Sequence, residues 1–223
     1  MKTLRRTLAV AIVASAATLS APVAAAEGAD FTDLDLEALM ATTVSSASKF
    51  VQSEREAPSA VEVITREDIR RHAWRTLNEA LVSLTGVYSV TDRAYDRLGA
   101  RGFLIPGDYN TRFLLLIDGQ RVDDNTYGQA TFGHEFPLDL ALVERIEYVP
   151  GPGSSIYGSN ALFGVINVIT RRAAQMPPAQ LAVRLTDDGW REGRVTLAHT
   201  LDSGASLLLS ATEASRPGSD QTY

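Results

Sequence analysis

The stretch from Val143 to Thr170 constrains the fold more than any other part of the chain. Strand-like residues over Ile146 to Val149 run into Pro150-Gly151-Pro152-Gly153, a short helical turn is predicted over Ser154 to Tyr157, and a second strand, Gly164 to Thr170, follows. A link so rich in glycine and proline must turn tightly. Gly151 and Gly153 flank Pro152 in the loop, and Gly158 and Gly164 are expected to let backbones pass close together. The same Gly151-Pro-Gly-Ser-Ser155 invites a phosphate-cradle reading. A phosphate cradle would need to lead straight into a full helix and, in its P-loop form, to carry a lysine; only a short helical turn is predicted here and Lys49 is the only lysine beyond Lys2, so that reading is set aside.

Around this centre the pattern is that of a small α+β domain with a mixed sheet and short helices. Ala60 to Thr65 alternates like a strand, and Thr65-Arg-Glu-Asp68 opens a helix with a threonine cap and an acid three residues on. A second helix is predicted over Thr76 to Leu84, with Leu77, Ala80, Leu81 and Leu84 on one face and Gly86 at its end. Further strands are predicted at Val87 to Thr91, Gly99 to Leu104 and Phe113 to Ile117, the last followed by Gly119 at a turn position that needs positive φ.

Beyond Pro177-Pro178 the character changes. Leu181, Val183 and Leu185, then Val195, Leu197, His199 and Leu201, then Ala205, Leu207, Leu209 and Ala211 alternate with other residues, and Asp187-Asp188-Gly189 and Asp202-Ser203-Gly204 mark turns between the runs. Three amphipathic strands in sequence make a β-meander. Period two fits either a half-buried soluble sheet or the wall of an outer-membrane barrel. The run stops at Tyr223 with strand edges still to be paired, which leads us to expect an incomplete barrel within a longer protein.

The N-terminus adds an address. Lys2, Arg5 and Arg6 precede an apolar run from Leu8 to Leu19 and the small residues Ala21 to Ala26, the layout of a signal peptide cleaved near Ala26; the apolar run is far shorter than the roughly 20 residues of a membrane span. Its removal leaves 18 basic against 27 acidic residues, a net of −9, which argues against nucleic acid as a partner. There is no cysteine, so thiol chemistry and cysteine metal sites are excluded. His72, His134 and His199 fall on different predicted elements, and no nucleophile, base and orienting group can be assembled; neither an enzyme nor a cofactor is expected. Asp123 with Asp124, or His134 with Glu135, reads as solvated polar residues; no metal site is expected.

Val143-Glu-Arg-Ile-Glu-Tyr-Val-Pro-Gly-Pro-Gly-Ser-Ser-Ile-Tyr-Gly-Ser-Asn-Ala-Leu-Phe-Gly-Val-Ile-Asn-Val-Ile-Thr170 resembles the plug-domain signature of TonB-dependent outer-membrane receptors. The family's earlier marks occur in order: Ala57 to Thr65 with Glu67-Asp68-Ile69, Leu77-Asn-Glu-Ala-Leu81, Arg101-Gly-Phe103 and Leu115-Leu-Ile-Asp-Gly119, so that the resemblance covers roughly Leu39 to Arg172. It implies a signal peptide over 1–26, an N-terminal arm over 27–58, a plug domain over 59–173 and the first antiparallel strands of a transmembrane β-barrel over 179–223. The implied function is energy-coupled uptake, across the outer membrane, of a scarce nutrient such as a ferric siderophore, a cobalamin or a heme. The implied partners are TonB, the small-molecule nutrient complex and outer-membrane lipid. A barrel-less periplasmic plug-like module that binds a ligand or partner is the alternative.

Site residues follow from the same resemblance. Two loops, Asp92 to Arg97 and Asp123 to Glu135, are expected to face outward, making Arg93, Tyr95, Arg97, Asn125, Tyr127, Gln129, His134 and Glu135 ligand-binding candidates, although polar loops of this kind can also be merely solvated. Thr42, Thr43, Val44, Ser45 and Ser46 stand where the family presents the segment captured by TonB through strand addition, and equally suit a linker. Two positions depart from the family: Thr85-Gly86-Val87 stands for Pro-Gly-Val, and Pro150-Gly151-Pro152 for Arg-Gly-Pro. The second removes an arginine that would help lock plug to barrel, leaving Arg101 as the lock candidate, expected to be buried against a barrel carboxylate that residues 1–223 do not include.

Overall fold

The computed structural model describes residues 60–91, 95–105, 107–201 and 203–216, together with the backbone of two dipeptide strands, β1 (Thr43–Val44) and β2 (Gln52–Ser53). The expected signal peptide and most of the arm lie outside the described residues. β1 and β2 pair antiparallel, Val44 opposite Gln52.

The centre is a five-stranded mixed sheet built from β3 (Glu62–Thr65), β6 (Phe113–Ile117), β7 (Gln120–Arg121), β8 (Val143–Pro150) and β9 (Gly164–Thr170), in the order β3-β8-β9-β6-β7. β6 and β9 are parallel and every other pair is antiparallel. Both faces are covered, which is why Phe113-Leu-Leu-Leu-Ile117 is apolar throughout and not alternating. Phe113 and Leu115 join Ile146, Ile166 and Val168 on one face; Leu114 and Leu116 join Val61, Val149, Ala161 and Val165 on the other.

Two short helices cover the first face. α1 (Arg66–Arg71) starts at Thr65, whose hydroxyl accepts from the Asp68 amide at 3.2 Å while the Asp68 carboxylate accepts from the Thr65 amide at 3.0 Å, the reciprocal cap predicted from the sequence. α2 is shorter than predicted: Thr76 is its cap and the helix proper is Leu77–Leu81, burying Leu77, Ala80 and Leu81. A hairpin, β4 (Val87–Thr91) with β5 (Asp96–Ala100), packs beside them, so the strand predicted from Gly99 begins three residues earlier.

β8 is also longer than predicted. A register shift between Val143 and Arg145 inserts an extra residue, so that Val143 and Ile146 reach the same core although they are an odd number apart; the alternation that would have announced the whole strand is broken there. The glycines of the following link divide by role. At Gly164 an added Cβ would lie 2.9 Å from the Val149 carbonyl oxygen, the close approach expected. At Gly158 it would meet open space, and that residue instead supplies φ +80° after α3 (Ser154–Tyr157).

β10 (Ala179–Leu185), β11 (Arg191–Thr200) and β12 (Ser206–Ser215) form the predicted meander. Its facing is decisive. Leu181, Val183 and Leu185 are 67–71% exposed and Val195, Leu197, Leu207 and Leu209 about half exposed, whereas Arg184, Glu192, Arg194 and Thr196 turn toward the central domain. A soluble half-buried sheet would do the reverse; apolar outside and polar inside is the wall of a barrel. A small cluster of Ala173, Met176 and Ala198, with Leu142 and Leu208, is apolar at the seam. Polar contacts cross it as well: Asp139 receives Arg194 at 3.4 Å and the Thr212 hydroxyl at 2.7 Å.

Candidate functional site

Three loops converge at one end of the central domain, and a single asparagine holds them. Asn110 is buried and sits at φ +59°, a conformation its short amide side chain tolerates. Its Oδ1 accepts from the Leu98 amide at 2.9 Å, and its Nδ2 donates to the carbonyls of Asp96 at 2.8 Å and Ala130 at 3.1 Å. The β4–β5 hairpin, the segment 104–112 and the loop 123–135 are thereby tied at one point. Sequence reading found the first and third loops but neither Asn110 nor the middle segment. The only local hint was Asp108-Tyr-Asn110, a turn-type cluster in which Asp108 accepts from the Thr111 amide and hydroxyl.

The middle segment brings Tyr109, half exposed, to within 6.0 Å of Tyr127, which is 70% exposed, ring centre to ring centre. Tyr127 is presented by a turn in which the Asp124 carboxylate accepts from the Thr126 and Tyr127 amides at 3.0 and 2.6 Å, and Asn160 braces it through the Gly128 carbonyl at 2.8 Å. Asn125 is exposed on the same turn, and Gln129 is half-buried at its end. Tyr95 is half exposed at the tip of the β4–β5 hairpin. Tyr95, Tyr109 and Tyr127 are rigid aromatic surfaces with a polar tip, the residue type that anchors ligands at low entropic cost.

Other candidates fall elsewhere. Arg93 lies outside the described residues. Arg97 is not in a loop: it is a half-buried residue of β5, because the hairpin closes sooner than predicted. His134 stacks on Trp190 of the β10–β11 turn with ring centres 5.5 Å apart, and Arg75 approaches the same indole at 5.1 Å, so one face of the imidazole is occupied. Glu135 accepts from the Gly133 amide at 3.3 Å, and an added Cβ on Gly133 would lie 2.6 Å from the Glu135 carboxylate and 2.8 Å from that of Asp96; these two acids converge.

Asp123 and Asp124 face different ways. Asp124 caps the surface turn; Asp123 is buried, accepts from the Leu115 amide at 3.1 Å and has Arg121 at 3.9 Å. Burial raises its carboxyl to about 6, with the Leu115 amide and Arg121 pulling the other way. The lock candidate Arg101 lies in the turn after β5. It is exposed at φ +54° and has no carboxylate within ion-pair distance among the described residues. Its guanidinium comes within 3.6 Å of where a Cβ on Gly151 would be, beside Pro150, the position that lacks the arginine expected from the resemblance. Of the expected TonB-contact residues, Thr42, Ser45 and Ser46 lie outside the described residues, and Thr43–Val44 is β1.

Residues 53–165 match the family model described as TonB-dependent Receptor Plug Domain. The vitamin B12 transporter BtuB of Vibrio cholerae serotype O1 is 34% identical over 151 residues, covering 68% of this chain and 24% of that protein. Among solved structures, the pyoverdine outer membrane receptor FpvA of Pseudomonas aeruginosa superposes with a TM-score of 0.61 at 19% identity, over 78% of this chain and 24% of that one. The ferric-catecholate import receptor Fiu of E. coli gives 0.58 at 20% identity, over 77% and 24%. The chain spans about a quarter of the length of the curated relatives it matches.

Proposed function

The chain belongs to the TonB-dependent receptor plug family, and from that membership we propose that it supplies the plug and first wall strands of an outer-membrane receptor that takes up a scarce nutrient complex with energy delivered by TonB. The observation that carries this reading is the facing of β10–β12. Exposed leucine and valine side chains point away from the plug and suit lipid, while the plug side of the same strands is polar. A barrel-less periplasmic module would leave that apolar face in water, so the observation counts against it.

In this reading the nutrient binds over Tyr95, Tyr109 and Tyr127, held in place by Asn110, and the plug closes the barrel until the arm is drawn from the periplasmic side. TonB would add a strand along Thr42 to Ser46, which requires the β1–β2 pairing to leave an edge free or to open. Cobalamins, ferric siderophores and hemes are the cargo classes; the likeness to the vitamin B12 transporter makes cyanocobalamin the first probe.

The test separates binding from coupling. Tyr127→Ala combined with Arg93→Ala should weaken cargo binding to whole cells by about 1 kcal/mol or more, since an aromatic anchor and a charge leave the face. Val44→Pro should leave binding intact and abolish uptake, because proline removes a ladder donor and touches no ligand. Normal transport by the Val44 variant would move the coupling segment elsewhere; normal binding by the loop variant would assign recognition to other loops.

A further inference from the structure

Between the plug and the inner face of β10–β11 lies a cavity of about 470 Å³ whose lining includes six arginines: Arg66, Arg70, Arg75, Arg171, Arg184 and Arg194. Among the described residues two carboxylates line it, Asp139 and Glu192, and both are committed. Asp139 pairs with Arg194, and Glu192 pairs with Arg184 at 3.7 Å and accepts from the Trp190 indole at 3.2 Å. Arg75 is neutralised from outside the lining, by Glu79 at 3.6 Å and Asp188 at 3.3 Å. Two guanidiniums remain without an acid, and a third has only a loose pair. Arg66 and Arg70, one turn apart on α1, have no acid within 4.0 Å among the described residues, and Arg171 has only the partly exposed Glu144 at 3.8 Å.

Arg171 is the telling member. Its side chain is 4% exposed and its Nη2 donates to the Gln175 carbonyl at 2.9 Å; its buried Nε has no hydrogen-bond acceptor, the carboxylate of Glu144, outside the cavity lining, standing 3.8 Å from it. A buried guanidinium N–H without an acceptor is costly, and most buried polar groups avoid that state. Its charged form is disfavoured first by burial and then by Arg66, with Arg194 and Arg70 adding to the repulsion and Glu144 opposing it. Guanidiniums crowded around a cavity with so few acids in its lining suit an anion with several oxygen acceptors. Guanidinium forks match the paired oxygens of phosphates and carboxylates.

We propose that this cavity binds a small multivalent oxyanion, carrying phosphate or carboxylate groups, between the plug and the barrel wall. It is separate from the tyrosine-bearing loops, and it adjoins a second crevice beneath His134 and Trp190 with which it shares Arg75, Asp139 and Glu192. An anion there bridges α1 and Arg171 of the plug to Arg184 and Arg194 of the wall, so its occupancy fastens the one to the other.

The test is calorimetric titration of the full-length protein in detergent and low-salt buffer with pyrophosphate, citrate and orthophosphate. One saturable site is expected, tighter for pyrophosphate or citrate than for orthophosphate, and weakening steeply with added sodium chloride; the order of the first two assigns phosphate or carboxylate. Arg66→Gln with Arg70→Gln should weaken binding at least tenfold. Arg71→Gln, on the same helix but 61% exposed and paired with Glu67, should not. Should the double variant fold poorly, Arg171→Lys keeps the charge, loses the fork and should also bind more weakly. Absence of a saturable site at millimolar anion, or wild-type affinity in the double variant, overturns the proposal. Neither readout involves nutrient uptake, so the proposal and the transport reading can fail separately.

Discussion

Replacing Asn110 should loosen the tyrosine-bearing end of the plug before it affects the sheet. In Asn110→Gly the Leu98 amide becomes a buried donor without a partner and the carbonyls of Asp96 and Ala130 each lose one donor. The first loss costs about 1–3 kcal/mol and each of the others about 0.5–1.5 kcal/mol, which together give about 4 kcal/mol at mid-range. Glycine adopts φ +59° freely, whereas alanine there adds about 1 kcal/mol or more, so Asn110→Ala should be the less stable of the two. Denaturant unfolding in detergent, followed by tryptophan fluorescence, gives the global loss. Hydrogen exchange supplies the localisation: the Leu98 amide should exchange faster in both variants while amides of β6, β8 and β9 change only with global stability. Cargo affinity should fall as well, because Tyr109 and Tyr127 are presented by two of the segments that Asn110 ties. A loss below about 1 kcal/mol in Asn110→Gly, with Leu98 protection unchanged, would show that water replaces the side chain and that the loops hold themselves.

Asp123 should make stability depend on pH in the direction opposite to most carboxylates. Its folded value is raised to about 6 by burial, so between about 4 and 6 the folded state holds a proton that the unfolded state has released, and stability falls as pH rises through that window, by roughly 3 kcal/mol in all. Asp123→Asn keeps an oxygen for the Leu115 amide and should flatten that profile; parallel melting curves for both proteins from pH 4 to 8 would contradict the assignment. On the wall strands, Val183→Arg places a charge on the outward face and should reduce membrane-assembled protein, at a cost of about 2–4 kcal/mol if the residue lies near the bilayer midplane. Asp187→Arg in the adjoining turn should assemble normally, and equal assembly of the two would contradict the lipid-facing orientation.

What the sequence determined by itself was local. The Thr65 and Asp68 cap, the continuous apolar β6 and the Asp-Gly turn at Asp118-Gly119 are all written within a few residues, because hydrogen bonds and φ preferences act over that distance. Asp118 and Gly119 both take positive φ, as a two-residue hairpin turn requires. The ordered series of glycine-rich motifs, together with these local signals, identified the family as well. Period two, in contrast, fixed three strands without fixing which face meets the plug, since the pattern is unchanged when the sheet is turned over; packing against Asp139, Met176 and Leu142 made that choice. Tertiary structure also decided the β8 bulge, which masks its own alternation. The Asn110 junction joins loops 12 and 20 residues away along the chain, and the arginine cavity draws on α1, the residue after β9 and two wall strands. Such sites have no local signature, because the groups that satisfy or repel one another become neighbours only after the chain has closed on itself.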